Sequence, residues 1–459
     1  MSYFKNFEIK THTDSDFGVF QIELEKVEIT EADQEINLMI DNSGSMDDMC
    51  GDGTTKMHQI KHVTKNILRF VAKNCIKGNV KISLKTFNVN VETIFDKTVI
   101  TEDTLDELIP KIDKVYPNNG TDIGVALKSM HSSGINRHNI FMSDGDANVG
   151  ITEPAELAEH VDPNANNTFV GFGLEHNPKI FATLSETKNS AYYFVDKVEK
   201  SGNAYGEILD GILYNCLKDV YVRIVGGTLY DWKTNEWKTE IFVGNMSGEA
   251  KKTFHIMSSK KEDMQIMMCG TNLLGEPVEL TVCGSTSKSE DLQKIIYRQK
   301  TLEILFKAKC VNLKMNRDEI IELKKEMKEI VAEMKAYMKE SNDALIKNLC
   351  DDIVITYRTL GTQFGHMYSC SRQTSQGEER LYNVSDTPRF KPSRAWHSQN
   401  VFEEEEEELL NNNISLDDFM DSHDVSEETP YYSGRVATVM RSVTGEGEEE
   451  EEEEEEEEF

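Results

Sequence analysis

The sequence predicts an α/β protein: a doubly wound, mostly parallel sheet, an antiparallel β-sandwich-like domain, a helical segment and a disordered acidic tail. Three observations predict it. Residues 34–218 alternate short apolar strands with stretches of helical period. Residues 219–288 hold short strands punctuated by Gly, Asn and Ser. From residue 391 the apolar pattern is lost and acid takes over, a composition that cannot bury a core. At 459 residues the chain is long enough for two or three domains.

The elements follow in order. Residues 1–33, with FEIKTH and FGVFQIELEKVEI, alternate partly and predict strands that join the later β domain. INLMI (36–40) is a short buried strand, and MHQIKHVTKNILRFVAKN (57–74) is a helix. NVKISLKTF (79–87) and NVETIF (90–95) suggest a hairpin. EDTLDELIPKI opens on acid, which suits the positive end of a helix dipole. DIGVALKSMHSS is a further helix, and HNIFMSDG (138–145) is a strand that ends on an aspartate. EPAELAEHV, NTFVGFG (167–173), PKIFATLSETK, AYYFV and residues 198–219 continue the alternation to a last helix. Such a repeat argues for an open sheet with helices on both faces.

Beyond it, VYVRIVGGTLYDW, EWKTEIFVGNM, KKTFHIM, MQIMMC and PVELTVCG supply the strands of the β domain. MQIMMC (264–269) reads as a core strand, and Trp232 and Trp237 around KTNE as a hairpin with exposed aromatics. Residues 289–390 are read as helical. Within them, 317–340 carries Ile, Leu, Val and Met at 3–4 spacing, for packing on the chain's own sandwich. In the tail, SLDDFMDSHDV (415–425) sets apolar residues among acids, as a short interaction motif or a solvated spacer would.

Charge bounds the function. There are 82 Asp and Glu against 50 Lys and Arg, a net of −32. From Glu403 onward 24 acids face two Arg, a net of −22, which leaves −10 for residues 1–402. That balance argues against nucleic acid and against anionic membranes, both of which need a cationic face. The glutamate run attracts basic proteins by charge alone, so a chaperone for basic proteins is one alternative function. The eight cysteines form no CxxC and read as free thiols of a reducing compartment. MSYFKNFEIK is not a signal peptide and no run has the length of a membrane span, so a cytoplasmic or nuclear location is expected.

Three loops carry the chemistry: Asp41-Asn42-Ser43-Gly44-Ser45, Asn119-Gly120-Thr121-Asp122 and Ser143-Asp144-Gly145-Asp146. The first and third follow strands, and the second precedes a helix, so all can reach the carboxyl-end rim of the sheet. Turns are the ordinary use of such residues. Together, however, they offer carboxylates and hydroxyls with no His or Cys, a hard-oxygen set suited to Mg²⁺, Mn²⁺ or Ca²⁺. With so few charges the ion keeps water or takes an acidic group from another molecule. Asp122 is expected to cap the helix at 123. The acidic loop of Asp47, Asp48, Asp52 and Gly53 reads as solvated.

DNSGSM, NNGTDIG and MSDG resemble the von Willebrand factor A domain and its metal-ion-dependent adhesion site. The resemblance implies that Asp41, Ser43, Ser45, Thr121 and Asp144 hold the cation and that a protein partner donates a Glu or Asp carboxylate. IFVGNMSGEAKKTFHI (241–256) is similar to the β-rich segment of intracellular members joined to RING or Hint modules; neither module is evident in this sequence. The expected function is therefore non-catalytic protein binding. The rival is a metal-dependent hydrolase or phosphoryl-transfer enzyme. Against it, there is no GxxxxGK[ST] loop, and Arg137 and His138 precede their strand and fall at the far end of the sheet.

Overall fold

The computed structural model describes residues 3–379, with short breaks at 30–31, 50–52, 76, 135, 146, 173–176, 196–197, 285–286, 290–291, 312–316 and 342, together with residues 434–444. The central sheet contains β3 (Gln34–Asp41), β4 (Val80–Phe87), β5 (Val91–Val99), β6 (Arg137–Ser143), β7 (Asn166–Phe172) and β8 (Ser190–Val195). Its strand order is β5-β4-β3-β6-β7-β8. All neighbours are parallel except the β4–β5 hairpin. β6 is buried at every position, as a strand covered on both faces must be.

One face is covered by α1 (Lys56–Asn74), α2 (Glu102–Asp113) and α6 (Val198–Leu213), around Ile36, Leu38, Ile40, Ile67 and Leu209. The other takes α3 (Ile123–Ser129), α4 (Pro154–Ala158) and α5 (Pro178–Ser185), around Met39, Phe141, Phe169 and Phe181. Alternate residues of β3 thus serve opposite cores, the period of a doubly wound sheet.

Strands β1 (Phe4–His12) and β2 (Phe17–Leu24) pair with each other, and β2 pairs with β13 (Lys251–Met257). With β10 (Thr228–Asp231), β11 (Glu236–Lys238) and β16 (Ser287–Ser289) they form one six-stranded sheet. Facing it are β9 (Asn215–Val225), β12 (Glu240–Ser247), β14 (Gln265–Asn272) and β15 (Pro277–Cys283). Ile9, Phe20, Val222, Ile256, Ile266 and Met268 fill the space between the two sheets, so MQIMMC is a core strand. The α/β unit is inserted between β2 and β9.

Helices α7 (Gln293–Cys310), α8 (Arg317–Ser341) and α9 (Ala344–Thr359) share a core of Ile304, Met327, Ile330, Met334, Leu349 and Ile353, and α10 (Gln363–Gly377) packs beside them with Met367 and Tyr368 against Ile355. The apolar stripe of α8 therefore packs on helices, not on the sandwich. Buried Arg298 ties α7 to the end of α10, donating to Glu379 Oε1 at 2.7 Å and to the Gln376 carbonyl at 2.5 Å. The Trp232 ring is covered by α10: a Cβ on Gly377 would lie 2.1 Å from it. The expected hairpin is present, but this aromatic is packed rather than offered as a surface.

The expectation of a tail without structure from 391 is corrected at one stretch. Residues Gly434–Thr444 form α11, whose Val439, Met440 and Val443 are buried against α6 and α1. The segment 415–425 and the glutamate run lie outside the described residues. Among the described residues, no helix is long and apolar enough to cross a membrane.

Candidate metal site

β3 and β6 are parallel neighbours with Ile40 opposite Met142, which sets Asp41 level with Ser143 at the carboxyl end of the sheet. Asp41 is fully buried. Its Oδ1 accepts from the Ser43 N–H at 2.7 Å, and its Oδ2 accepts from the Ser143 hydroxyl at 2.5 Å. The Ser43 and Ser45 hydroxyls are 3.2 Å apart, and Ser45 donates to Asp144 Oδ1 at 2.9 Å. A continuous hydrogen-bonded line thus runs Ser143–Asp41–Ser43–Ser45–Asp144. It opens to solvent at Ser45, the exposed member.

The second loop is docked onto the first through backbone. Asn119, in the left-handed region at φ 64°, offers its carbonyl to the Gly44 N–H at 3.0 Å, and the Asn118 N–H donates to the Asn42 carbonyl at 2.8 Å. Two residues on, Thr121 is buried, with its N–H on Asn148 Oδ1 at 2.8 Å and its carbonyl accepting from Asn148 and Val149. Asp122 caps α3, accepting from the Val125 N–H at 3.0 Å. Gly145 is required by close approach: its N–H donates to Ser143 Oγ at 3.0 Å, and a Cβ there would lie 2.2 Å from that oxygen.

Two participants were given no role by sequence reasoning: Ser143, quoted only as part of its loop, and Lys56. Ser143 holds the inner edge of Asp41. Lys56, the first residue of α1, reaches back to Asp144 Oδ2 at 2.6 Å and to Asp48 Oδ2 at 3.4 Å. Ser143 could have been found, since it adjoins Asp144 at a strand end. Lys56 has no local signal, because its partner Asp144 is 88 residues away.

The electrostatics follow from burial. Burial pushes the Asp41 carboxyl up to about 6, against the pull of the Ser143 and Ser43 hydrogen bonds, and nearby Asp144 adds to the rise. Burial works to lower the Lys56 amine, but Asp144 and Asp48 outweigh it and hold it above its ordinary value. Two carboxylates therefore face one ammonium. At the far end of the sheet, Arg137 pairs with buried Asp162, and burial lowers His138 to about 3.

Among the described residues no group of three or more His, Cys, Asp or Glu is placed to hold a metal ion. The donor set is instead two carboxylates with hydroxyls. Such a set fits a hard divalent cation and is wrong for zinc or copper.

The mostly parallel sheet is an α/β domain with an Asp-x-Ser-x-Ser turn at one strand end and an aspartate just past the end of the next. Residues 36–145 match the family model of the von Willebrand factor type A domain, and all five candidate residues lie inside that match. The chain carries a von Willebrand factor type A domain. In structure it is similar to a von Willebrand factor type A protein from Catenulispora acidiphila, with TM-score 0.49 and 13% identity over 77% of this chain and 88% of that one. It is also similar to the ArnB paralog VWA2 from Sulfolobus acidocaldarius, with TM-score 0.47 and 12% identity over 82% of this chain and 98% of that one. No curated protein sequence matches the chain.

Proposed function

We propose that this protein binds another protein through a divalent cation, Mg²⁺, Mn²⁺ or Ca²⁺, held by Asp41, Ser43, Ser45, Thr121 and Asp144, without turnover. The observation that carries the reading is the hydrogen-bonded line from buried Asp41 through Ser43 and Ser45 to Asp144, with a single ammonium against two carboxylates. Bound there, the cation supplies a centre for a Glu or Asp carboxylate of the partner.

The chain's own groups prepare that contact. Ser143 and the Ser43 N–H fix both oxygens of Asp41, and Ser45 fixes one oxygen of Asp144. These bonds orient the donors before an ion arrives, so less ordering is needed on binding. Exposed Ser45 leaves the outer side open for a partner. Arg137 is committed to Asp162 at the opposite end and Lys56 to Asp144 and Asp48 at this one, so neither cation is left for a phosphate at the rim, which favours binding over phosphoryl transfer.

The test is capture of partners from lysate with Mg²⁺ and with EDTA, using the natural chain and Asp41→Ala plus Ser43→Ala. A partner retained only by the natural chain in Mg²⁺ is expected. Capture that ignores both EDTA and the substitutions overturns the reading.

A further inference from the structure

The six-stranded sheet of the sandwich has a gap in it. β10 pairs with β13 only at Thr228–Met257 and Leu229–Ile256, and then continues into its hairpin with β11. From Phe254 back to Lys251, β13 pairs with β2 alone among the described residues. The end of α10 lies along this gap in place of a strand. The Thr253 N–H donates to Glu379 Oε2 at 3.0 Å, Lys252 Nζ donates to the Glu378 carbonyl at 2.6 Å, and the Gln373 amide donates to the Trp232 carbonyl at 2.7 Å.

These contacts do not fill the gap. A cavity of about 50 Å³, partly open to solvent, remains between Tyr230, Trp232, Val243, Phe254, His255 and Arg298. A water molecule needs about 10–15 Å³, so roughly three or four non-hydrogen atoms fit inside, and a longer molecule can extend through the open side. The cavity shares no residue with the metal rim.

The charged side chains of the wall are paired with one another or with a neighbour. Arg298 pairs with Glu379 at 2.7 Å, Lys252 with Glu378 at 3.2 Å, Lys233 with Glu378 at 3.7 Å, and Asp231 with Lys238 at 2.7 Å. A charged ligand would have to break one of these pairs. The Tyr230 hydroxyl is also engaged, donating to Asn235 Oδ1 at 2.7 Å. His255 differs. It is 4% exposed, and its Nε2 has no hydrogen-bond partner among the described residues. Burial, aided by the nearby Arg298 guanidinium, lowers the imidazole well below its ordinary value, so the ring is neutral. A neutral imidazole has one donor and one acceptor nitrogen, and a hydroxyl can answer either. A buried nitrogen left unanswered is costly. Val243 and Phe254 offer an apolar surface to the remainder of a ligand.

We propose that this cavity is a binding site for a small neutral ligand that carries one hydroxyl on an apolar stem, with the hydroxyl on His255 and the stem against Val243 and Phe254. Gly377, Glu378 and Glu379 form part of the wall, so a bound ligand also holds the end of α10 against β13.

The experiment titrates the full chain with benzyl alcohol by ligand-observed NMR. Toluene is the comparison of like shape without the hydroxyl, and benzoate is the charged one. Benzyl alcohol is expected to bind saturably and about tenfold more tightly than toluene, the worth of one hydrogen bond to a buried neutral group. Benzoate is expected not to bind, and EDTA to change none of this. Amide exchange at 253–255 and 377–379 is expected to slow when the alcohol is bound. His255→Phe keeps an aromatic ring but no nitrogen and should bind the alcohol and toluene equally. Val243→Phe fills the cavity and should bind neither. Circular dichroism checks that both variants fold. Binding that does not saturate, toluene held as tightly as benzyl alcohol, or a preference for the alcohol that survives His255→Phe overturns the site. The first two results need only the natural chain, so they decide the question even where a variant does not fold.

Discussion

Replacing Asp41 by Asn separates the stability of the domain from its chemistry. Burial raises the Asp41 carboxyl from its ordinary 3.8 to about 6. The folded protein therefore holds that proton more tightly than the unfolded chain does. Between pH 3.8 and about 6 the folded state binds more protons, so stability falls as pH rises through that window. Above about 6 the penalty is complete; two units correspond to roughly 3 kcal/mol. An amide at this position can still accept from the Ser43 N–H and can donate to the Ser143 hydroxyl, so the packing survives. In EDTA at pH 8 the Asp41→Asn chain is expected to be more stable by up to about 3 kcal/mol, with the advantage gone near pH 4. In Mg²⁺ at about one thousand times the natural chain's Kd the order reverses, since that chain gains about 4.1 kcal/mol and the variant gains little. The assay is urea unfolding followed by circular dichroism in EDTA and in Mg²⁺ at both pH values. A variant less stable than the natural chain in EDTA at pH 8, or a difference that does not change with pH, would refute the reasoning.

Lys56→Met removes the ammonium that shares Asp144, so Mg²⁺ affinity measured by calorimetry should rise about tenfold, or ~1.4 kcal/mol; a fall would mean that Lys56 holds Asp144 in its binding position. Gly206→Ala should strengthen α6 by about 1 kcal/mol of propensity and yet expel α11, because the new Cβ meets Met440 backbone. Trypsin cleavage at Arg435 should then be faster than in the natural chain, and equal rates would count against the close crossing. Arg298→Met leaves Glu379 buried without its partner, at a cost of about 3–5 kcal/mol. Amide exchange should accelerate in α10 before it does in α1.

The parallel sheet was legible because each strand and helix carries its own period. INLMI is too short and apolar for anything but a buried strand, and α1 repeats its apolar residues at helical spacing. Four of the five candidate residues are joined by hydrogen bonds because each sits at the end of a strand or in the turn after it, where backbone direction fixes the side chain. Thr121 comes to the same rim through Asn118 and Asn119, whose backbone bonds no motif announces. Two features were not legible, for a shared reason. Lys56 depends on a partner in another loop, and Trp232 is covered by a helix far along the chain. The tail helix is a different case. Val436, Val439, Met440 and Val443 do stand at helical spacing. Eleven residues are nevertheless too few to hold a helix in water, and it is the surface of α6 and α1 that makes them one.

That dependence runs both ways. Asp210 lies inside α6 and is buried, and burial raises its carboxyl although Arg435 pulls against the rise. A buried carboxylate without a counter-ion is costly, so the cation that α11 brings is part of the electrostatics of the domain and not an ornament on it. The position of the contact matters as much as its charge. Asp210 is three residues before the end of α6, Tyr214 lies between α6 and β9, and Gly248 lies between β12 and β13. Arg435, which donates to Asp210 and to the Gly248 carbonyl and lies against the Tyr214 ring, therefore clasps the place where the α/β unit passes into the sandwich. The other end of the same short helix rests on Asn66 of α1, the helix whose first residue touches Asp144. A segment reached only through more than fifty residues of intervening chain thus connects the exit of the domain to the helix that borders its metal site. Anything that lifts α11 must disturb Asp210 and Asn66 together.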